Sequence, residues 1–89
     1  MNIYRKNPLS AGRVVDGLAF VVTAEDNKLH TLNVTGTELW RLAQSSEGVS
    51  IDSGASKLVE LFKVELSLAK EDVAECLQAY ASSGILIEE

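Results

Sequence analysis

The spacing of hydrophobic positions changes at about residue 33, which divides the chain into a strand-rich first part and a helical second part. Before this point, apolar residues alternate with polar ones or form short runs, as in half-buried strands. After it, they recur at intervals of three and four, as along one face of a helix. This order favours an α+β domain in which helices cover one face of a small sheet.

The first part predicts three antiparallel strands after an irregular lead-in over residues 1–12. Strands over 13–15 and 18–23 are joined by Asp16-Gly17, a dipeptide that tolerates the positive φ angles of a type I′ hairpin turn. After a second polar turn, residues 28–32 form a third strand. The three strands make a meander whose last strand lies at an edge.

The first helix is predicted over about 35–44. Thr35 and Glu38 have capping-box spacing, so their side chains can satisfy two helix amides reciprocally. Trp40 is expected on the flank of the apolar stripe. The stripe itself consists of Leu39, Leu42 and Ala43.

The second helix is predicted from a cap at Asp52 or Ser53 to about Val64, although Gly54 weakens its first turn. Its apolar residues lie on one face and are expected to point inward. They are Leu58, Leu61 and Phe62.

The third helix is predicted from a cap at Ser67 through about Ser82, and Gly84 ends it as a C′ glycine. Residues 85–87 are too apolar to stay exposed and are expected to pack back as a small strand. The whole pattern predicts a single domain over 1–89 with a winged helix-turn-helix-like fold. It is a three-stranded antiparallel sheet followed by three helices and a short C-terminal strand or wing.

Composition disfavours two classes of partner. The formal net charge is −5 and the pI is near 4.8, which disfavours nucleic acid and anionic membrane surfaces because both attract Lys and Arg. No apolar run approaches the ~20 residues that span a bilayer, and the N-terminus lacks the apolar segment of a signal peptide. We therefore expect a cytoplasmic protein that does not enter membranes.

The sequence offers little for catalysis. Cys76 and His30 form the only candidate nucleophile and base, and Cys76 flanks an apolar helical stripe, where a small buried hydrophobe is the simpler interpretation. One cysteine and one histidine cannot make a standard zinc site, and the glycines form no phosphate-binding loop. The carboxylates of Glu71, Asp72 and Glu75 fit a solvated helical face. We expect no enzyme activity, no cofactor and no metal.

A helix-turn-helix pattern also raises a DNA-binding hypothesis, in which the last helix would enter the major groove. That helix opens with Lys70-Glu71-Asp72 and continues to Glu75, so its leading turns would repel phosphates. DNA binding is disfavoured but remains an alternative.

A peptide-binding surface is the better hypothesis. An edge strand presents free amides and carbonyls to which an extended peptide can add as a further strand. The third helix is expected beside this edge, so the groove between them would have Leu29 or Leu32 on one side. The other side would be formed by Val73, Cys76, Leu77 and Tyr80. In the alternative interpretation these apolar residues are core, and Lys28 and His30 only protect the edge.

Several segments resemble the PqqD-like family, whose members are also called RiPP recognition elements. The resemblance runs from about Pro8 to Ile87 and is most distinctive at the junction between the third strand and the first helix. The matching segments are Arg13-Val14, Leu32-Asn33-x-Thr35-Gly36-x-x-Leu39-Trp40-x-Leu42, the leucine-rich second helix and Gly84-Ile85-Leu86.

The resemblance implies a winged helix-turn-helix domain without catalytic activity, which grips the leader segment of a ribosomally made precursor peptide. It delivers that peptide to a modifying enzyme, a radical SAM protein in the pyrroloquinoline quinone pathway and other enzymes elsewhere. Carried over by position, the implied peptide-pairing strand is Lys28, Leu29, His30, Thr31 and Leu32, and the implied pocket wall is Ala69, Val73, Cys76, Leu77 and Tyr80. Asn33, Thr35, Gly36 and Trp40 match the motif but are interpreted as structural.

The segment 45–56 is longer than the expected link between the first two helices, which counts against a role in pyrroloquinoline quinone synthesis in particular. A homodimerising module, in which the same edge strand pairs with its own copy, is a further alternative. The precursor peptide and the partner enzyme are not specified by the sequence.

Overall fold

The protein is described by a computed structural model over residues 2–89. This part of the chain folds into two antiparallel sheets and three helices, which confirms the predicted α+β class. The strands are β1 (Tyr4–Lys6), β2 (Ser10–Val15), β3 (Leu18–Thr23), β4 (Lys28–Thr31) and β5 (Leu86–Glu88). The helices are α1 (Val34–Ala43), α2 (Ile51–Phe62) and α3 (Leu66–Ser83).

The larger sheet has the order β2-β3-β4, as the predicted meander requires. The turn between β2 and β3 has φ angles of 53° at Asp16 and 80° at Gly17, the left-handed values expected of this dipeptide. β2 begins at Ser10, which pairs with Thr23, three residues earlier than predicted. β4 lies at one edge of the sheet, so the predicted edge strand is confirmed.

The prediction of an irregular lead-in over 1–12 is wrong for residues 4–6 and 10–12, which form strands, and Met1 lies outside the described residues. Residues 4–6 form β1, which pairs antiparallel with β5, and Tyr4 also bridges to Val49. The C-terminal segment thus becomes the small strand that its apolar composition indicated. β1 was not predicted because its partners lie more than 40 residues away in the sequence, and local patterns do not report such pairing.

The predicted capping box at Thr35 and Glu38 is also wrong. α1 begins one residue earlier, and its N-cap is Asn33, whose side-chain oxygen accepts a hydrogen bond from the Gly36 amide at 2.7 Å. Asn is as good an N-cap as Thr, so the local sequence allowed either start.

The second helix starts at a different cap from the predicted one. Ser50 is the N-cap, and it forms a reciprocal capping box with Ser53. The link between α1 and α2 is therefore only residues 44–50. Half of the segment 45–56 is helix, which removes the argument that this link is unusually long.

Gly54 lies in the first turn of α2, where the helix crosses its neighbours closely. A Cβ there would stand 2.9 Å from side-chain carbons of both Leu39 and Val73. The glycine that weakens the helix locally is what allows α2 to pack against α1 and α3.

The start of α3 differs slightly from the prediction. Glu65 occupies the N-cap position without a side-chain cap among the described residues, and Ser67 lies inside the first turn. Its hydroxyl donates to the Glu65 carboxylate at 2.7 Å. The helix ends at Gly84, which has a φ of 83° and confirms the predicted C-terminal stop.

The core lies between the helices and one face of the larger sheet. Trp40 is buried there rather than on a flank. Leu58 of α2 is buried as predicted, but Leu61 and Phe62 remain 43% and 40% exposed, so that part of the apolar face of α2 is not fully covered within residues 2–89. The other large buried side chains include Val21, Leu39, Val49, Val73, Leu77, Ile85 and Leu86.

Candidate functional site

The outer edge of β4 presents free main-chain groups. The amide of Leu32 donates to the carbonyl of Ala19 at 2.8 Å, and antiparallel pairs alternate in hydrogen bonding along a strand. Lys28, His30 and Leu32 therefore direct their main-chain groups toward β3. Leu29 and Thr31 direct their main-chain groups outward, away from β3. No strand within residues 2–89 forms hydrogen bonds with this outer edge.

Side chains of β4 alternate between the two faces of the sheet. His30 lies opposite the buried Val21, so it points to the face that carries the helices, and its Nε2 lies 3.1 Å from the hydroxyl of Thr23. Leu29 lies opposite Val22 and points the other way. Leu29 cannot therefore line a groove beside α3, and Leu32, the other residue predicted there, is buried in the core.

The C-terminal part of α3 lies near both ends of β4. The hydroxyl of Tyr80 packs against Gly36 at the start of α1, just after β4. At the other end, a Cβ on Gly84 would lie 3.8 Å from the side chain of Thr23, which pairs with Lys28. The predicted proximity of the third helix and the edge strand is consistent with these contacts.

The predicted pocket wall divides into two parts. Ala69, Val73 and Leu77 are at most 1% exposed and belong to the core. Cys76 and Tyr80 are partly exposed at the margin of that core. In this structure they are the two predicted wall residues with surface that a peptide can touch.

The surroundings of Cys76 and Tyr80, the two partly exposed wall residues, favour their neutral forms. Burial raises the pKa of the Cys76 thiol, and burial followed by a hydrogen bond with Cys76 raises the pKa of the Tyr80 hydroxyl. A thiolate is the reactive form of cysteine, so this environment is unsuited to nucleophilic catalysis. The side-chain partner of His30 is the Thr23 hydroxyl, and no hydrogen bond within residues 2–89 joins His30 to Cys76 as a catalytic pair.

A cavity of about 330 Å³ lies between the β3–β4 turn and the end of α3, and the sequence analysis missed it. Its lining includes residues 23–26 and 81–84. The Thr23 hydroxyl donates to Asp26, which lowers the pKa of that carboxyl group. Residues from distant parts of the chain meet here, so no local signal predicts the cavity.

No helix within residues 2–89 is both long enough and apolar enough to cross a membrane.

The family assignment follows from comparison with known proteins. The family model described as Coenzyme PQQ synthesis protein D (PqqD) matches residues 19–86, which include β4, all three helices and all of β3 except Leu18. The chain belongs to the PqqD family. No curated protein sequence matches this PqqD-family chain.

Two solved structures share the fold. One is TbiB1 in complex with the TbiA(β) leader peptide, with 16% sequence identity, a TM-score of 0.82, and coverage of 93% of this chain and 94% of that one. The other is a lasso peptide synthetase B1 complexed with the leader peptide, with 19% identity, a TM-score of 0.80, and coverage of 94% and 96%. At these identities the likeness establishes the fold of this PqqD-family chain.

The structure explains the motif residues at the β4–α1 junction of this PqqD-family chain. Asn33 caps α1, Gly36 leaves room for Tyr80, and Trp40 is buried. These three residues stabilise the junction that holds the β4 edge beside α3.

Proposed function

We propose that this PqqD-family chain is a non-catalytic domain that binds the leader segment of a ribosomally made precursor peptide and delivers it to a modifying enzyme. The observation that carries the proposal is the free β4 edge beside the partly exposed margin of α3. The two solved structures described above, which share its fold, are each complexed with a leader peptide, and this supports the same role here.

Strand addition supplies the binding mode. The main-chain groups of Leu29 and Thr31 exchange hydrogen bonds with an extended leader, which gives affinity that depends little on sequence. Leader side chains that point to the helical face meet His30, Cys76 and Tyr80, which give selectivity. The predicted contacts at Ala69, Val73 and Leu77 become indirect, because these residues form the core beneath the wall.

Delivery to an enzyme fits a domain whose exposed groups offer binding rather than chemistry. A radical SAM protein, as in pyrroloquinoline quinone synthesis, is one enzyme that could receive the peptide. The link between α1 and α2 is short, so its length is no longer an argument against this pathway. A cytoplasmic location is part of the proposal, since precursor peptides are made on ribosomes.

The DNA-binding alternative receives no support from the comparisons. The first turns of α3 also expose Glu71, Asp72 and Glu75, which would repel a phosphate backbone.

Because the precursor is unknown, the test uses peptides that are selected for binding to the protein. Random twelve-residue peptides are selected by mRNA display on the full chain, and the enriched peptides are titrated into labelled protein while amide chemical shifts are followed. We expect shifts along β4 and around Cys76 and Tyr80. If no peptide is enriched, or if the shifts fall elsewhere, the proposal is wrong.

Thr31→Pro removes an outward amide while leaving the β3–β4 ladder intact, because proline is tolerated on an edge strand where its nitrogen faces solvent. Thr31→Ala is the matched control that keeps the amide. The proline variant should bind selected peptides about tenfold more weakly, because it loses the hydrogen bond from the residue 31 amide to the peptide and strains the adjacent residue of β4. The alanine variant should bind with wild-type affinity. Equal affinities would argue against strand addition.

Self-association competes for the same edge. Sedimentation velocity at rising protein concentration, without peptide, distinguishes a peptide-binding monomer from a dimer that forms through β4. A monomer that binds peptide supports the proposal, whereas a dimer that forms through β4 and excludes peptide overturns it.

A further inference from the structure

The second face of the larger sheet carries an uncovered apolar surface. α1 packs against β3 on the other face, with α2 and α3 packed behind it, and no element within residues 2–89 covers this one. Leu29 is 65% exposed and Val22 is 39% exposed, and both line a shallow depression of about 380 Å³ together with Phe20. The β2 side of the depression is lined by residues 11–13 and 15. We call Phe20, Val22 and Leu29 the outer patch.

Strand register places the outer patch at the proposed binding edge. Ala11, Val22 and Leu29 are directly aligned across the three strands, so they form one row on the outer face. The row ends at Leu29, which is also one of the two residues whose main-chain groups point outward from β4. One residue thus offers both pairing groups and an exposed apolar side chain.

Leucine is an unusual residue for a free edge. Proteins normally protect such edges with charges, proline or short strands, because an exposed apolar edge invites association with another strand. Leu29 is the opposite of a protective residue, and the row that it ends contains no charged side chain. A charged leader side chain over Leu29 would lose hydration. The charged residue that lines the depression, Arg13, lies opposite Phe20 on β2, so β3 and β4 separate it from the edge to which a strand would add.

We infer that Leu29 is a specificity-determining residue for the leader, because a leader residue aligned with it must place an apolar side chain on the outer patch. The inference rests on the proposed function and adds to it the class of peptide that is bound. Side chains of aligned residues in neighbouring strands point to the same face, so the conclusion holds for either direction of the added strand.

The adjacent leader residue then points to the opposite face, toward His30 and the margin of α3. The protein therefore contacts side chains on both faces of a single bound strand. The preferred leader has an apolar residue on the outer face next to a residue chosen by Cys76 and Tyr80.

The test uses Leu29→Ser and the control Val15→Ser. Val15 is an exposed valine on the same face, but it lies on β2, which β3 separates from the β4 edge. Peptides enriched by random display on the full wild-type chain serve as probes, and circular dichroism checks that each variant is folded. Leu29→Ser should weaken their binding about fivefold or more, and Val15→Ser should change it less than about twofold.

A serine scan of the peptide, measured against both the wild type and Leu29→Ser, supplies the second measurement. We expect one apolar peptide position whose replacement weakens binding to the wild type but has little further effect on Leu29→Ser, the signature of direct contact in a double-mutant cycle. If the scan finds no such position, the inference is wrong.

An unread outer patch and an absence of strand addition give different results. If Leu29→Ser binds peptides normally while Thr31→Pro does not, the outer patch is not read by the leader but strand addition stands. If both variants bind normally, strand addition itself is wrong and the inference falls with it.

Discussion

The phenolic oxygen of Tyr80 on α3 occupies the space that a Cβ on Gly36 would fill. Gly36 is in the first turn of α1, directly after the β4 edge, and its amide is bound by the Asn33 cap. The absence of a side chain at this position lets α3 approach the junction. The position of Tyr80, and with it the width of the candidate groove, depends on this glycine.

Gly36→Ala should therefore displace the Tyr80 ring and weaken peptide binding severalfold. The loss of stability should be small, since alanine gains about 1 kcal/mol of helix propensity over glycine and Tyr80 is at the surface margin. Adding Tyr80→Phe removes the atom that collides most closely and should partly restore stability. Tyr80 ring shifts and thermal unfolding of the single and double variants check this. Unchanged Tyr80 ring shifts in Gly36→Ala would contradict the contact.

Asn33→Ala should destabilise the protein by about 1 kcal/mol, because the Gly36 amide loses its side-chain acceptor. Thr35→Ala is the matched control and should have a much smaller effect, since Thr35 lies inside the helix and does not cap it. Urea unfolding measures both. A larger effect at Thr35 would show that the predicted capping box operates in solution.

Thr37→Val should cost about 1–3 kcal/mol in stability. Thr37 is fully buried, and its hydroxyl oxygen accepts a hydrogen bond from the Ala19 amide at 2.8 Å, which joins α1 to β3. Valine has nearly the same shape but leaves that buried amide without an acceptor. Thr31→Val, at an exposed position, should be nearly neutral in urea unfolding. Similar costs at the two positions would exclude a special role for the Ala19 contact.

The contribution of Cys76 to stability should fall as the pH rises. Burial raises the pKa of its thiol in the folded state, so the folded protein keeps the proton at a pH where the unfolded chain releases it. The stabilising effect is complete below the ordinary thiol pKa of about 8.5 and is lost above it. The difference in unfolding free energy between the wild type and Cys76→Ala should therefore shrink between pH 7 and pH 9.5. A difference that is constant with pH would show that the thiol titrates normally.

Local signals predicted the elements that depend on neighbouring residues. Asp16-Gly17 specified the hairpin and Gly84 the end of α3, because each position needs a left-handed backbone that few residues adopt. Helix starts were less determined, since Asn33 and Ser50 competed with equally suitable caps a few residues away. The apolar spacing also overestimated the core, as the exposure of Phe62 shows.

The candidate site was predicted in outline, because an edge strand followed by helices with apolar faces suggests a groove. The assignment of individual side chains was less successful. Val73 and Leu77 are core, as the alternative interpretation held, and Leu29 faces away from α3. A pattern of apolar residues shows that a face is buried or covered, but it does not distinguish the protein's own core from a surface for a partner.

The sequence by itself determined the kinds and order of the elements from β2 onward and the membership of the PqqD family, because both are encoded in residues close together in the chain. Tertiary structure decided the pairing of β1 with β5, the burial of the α3 stripe and the two-sided exposure of β4. These features depend on register and on contacts between distant segments. A shift of one residue in register would exchange Leu29 and His30 between the faces, and only the folded chain fixes that choice.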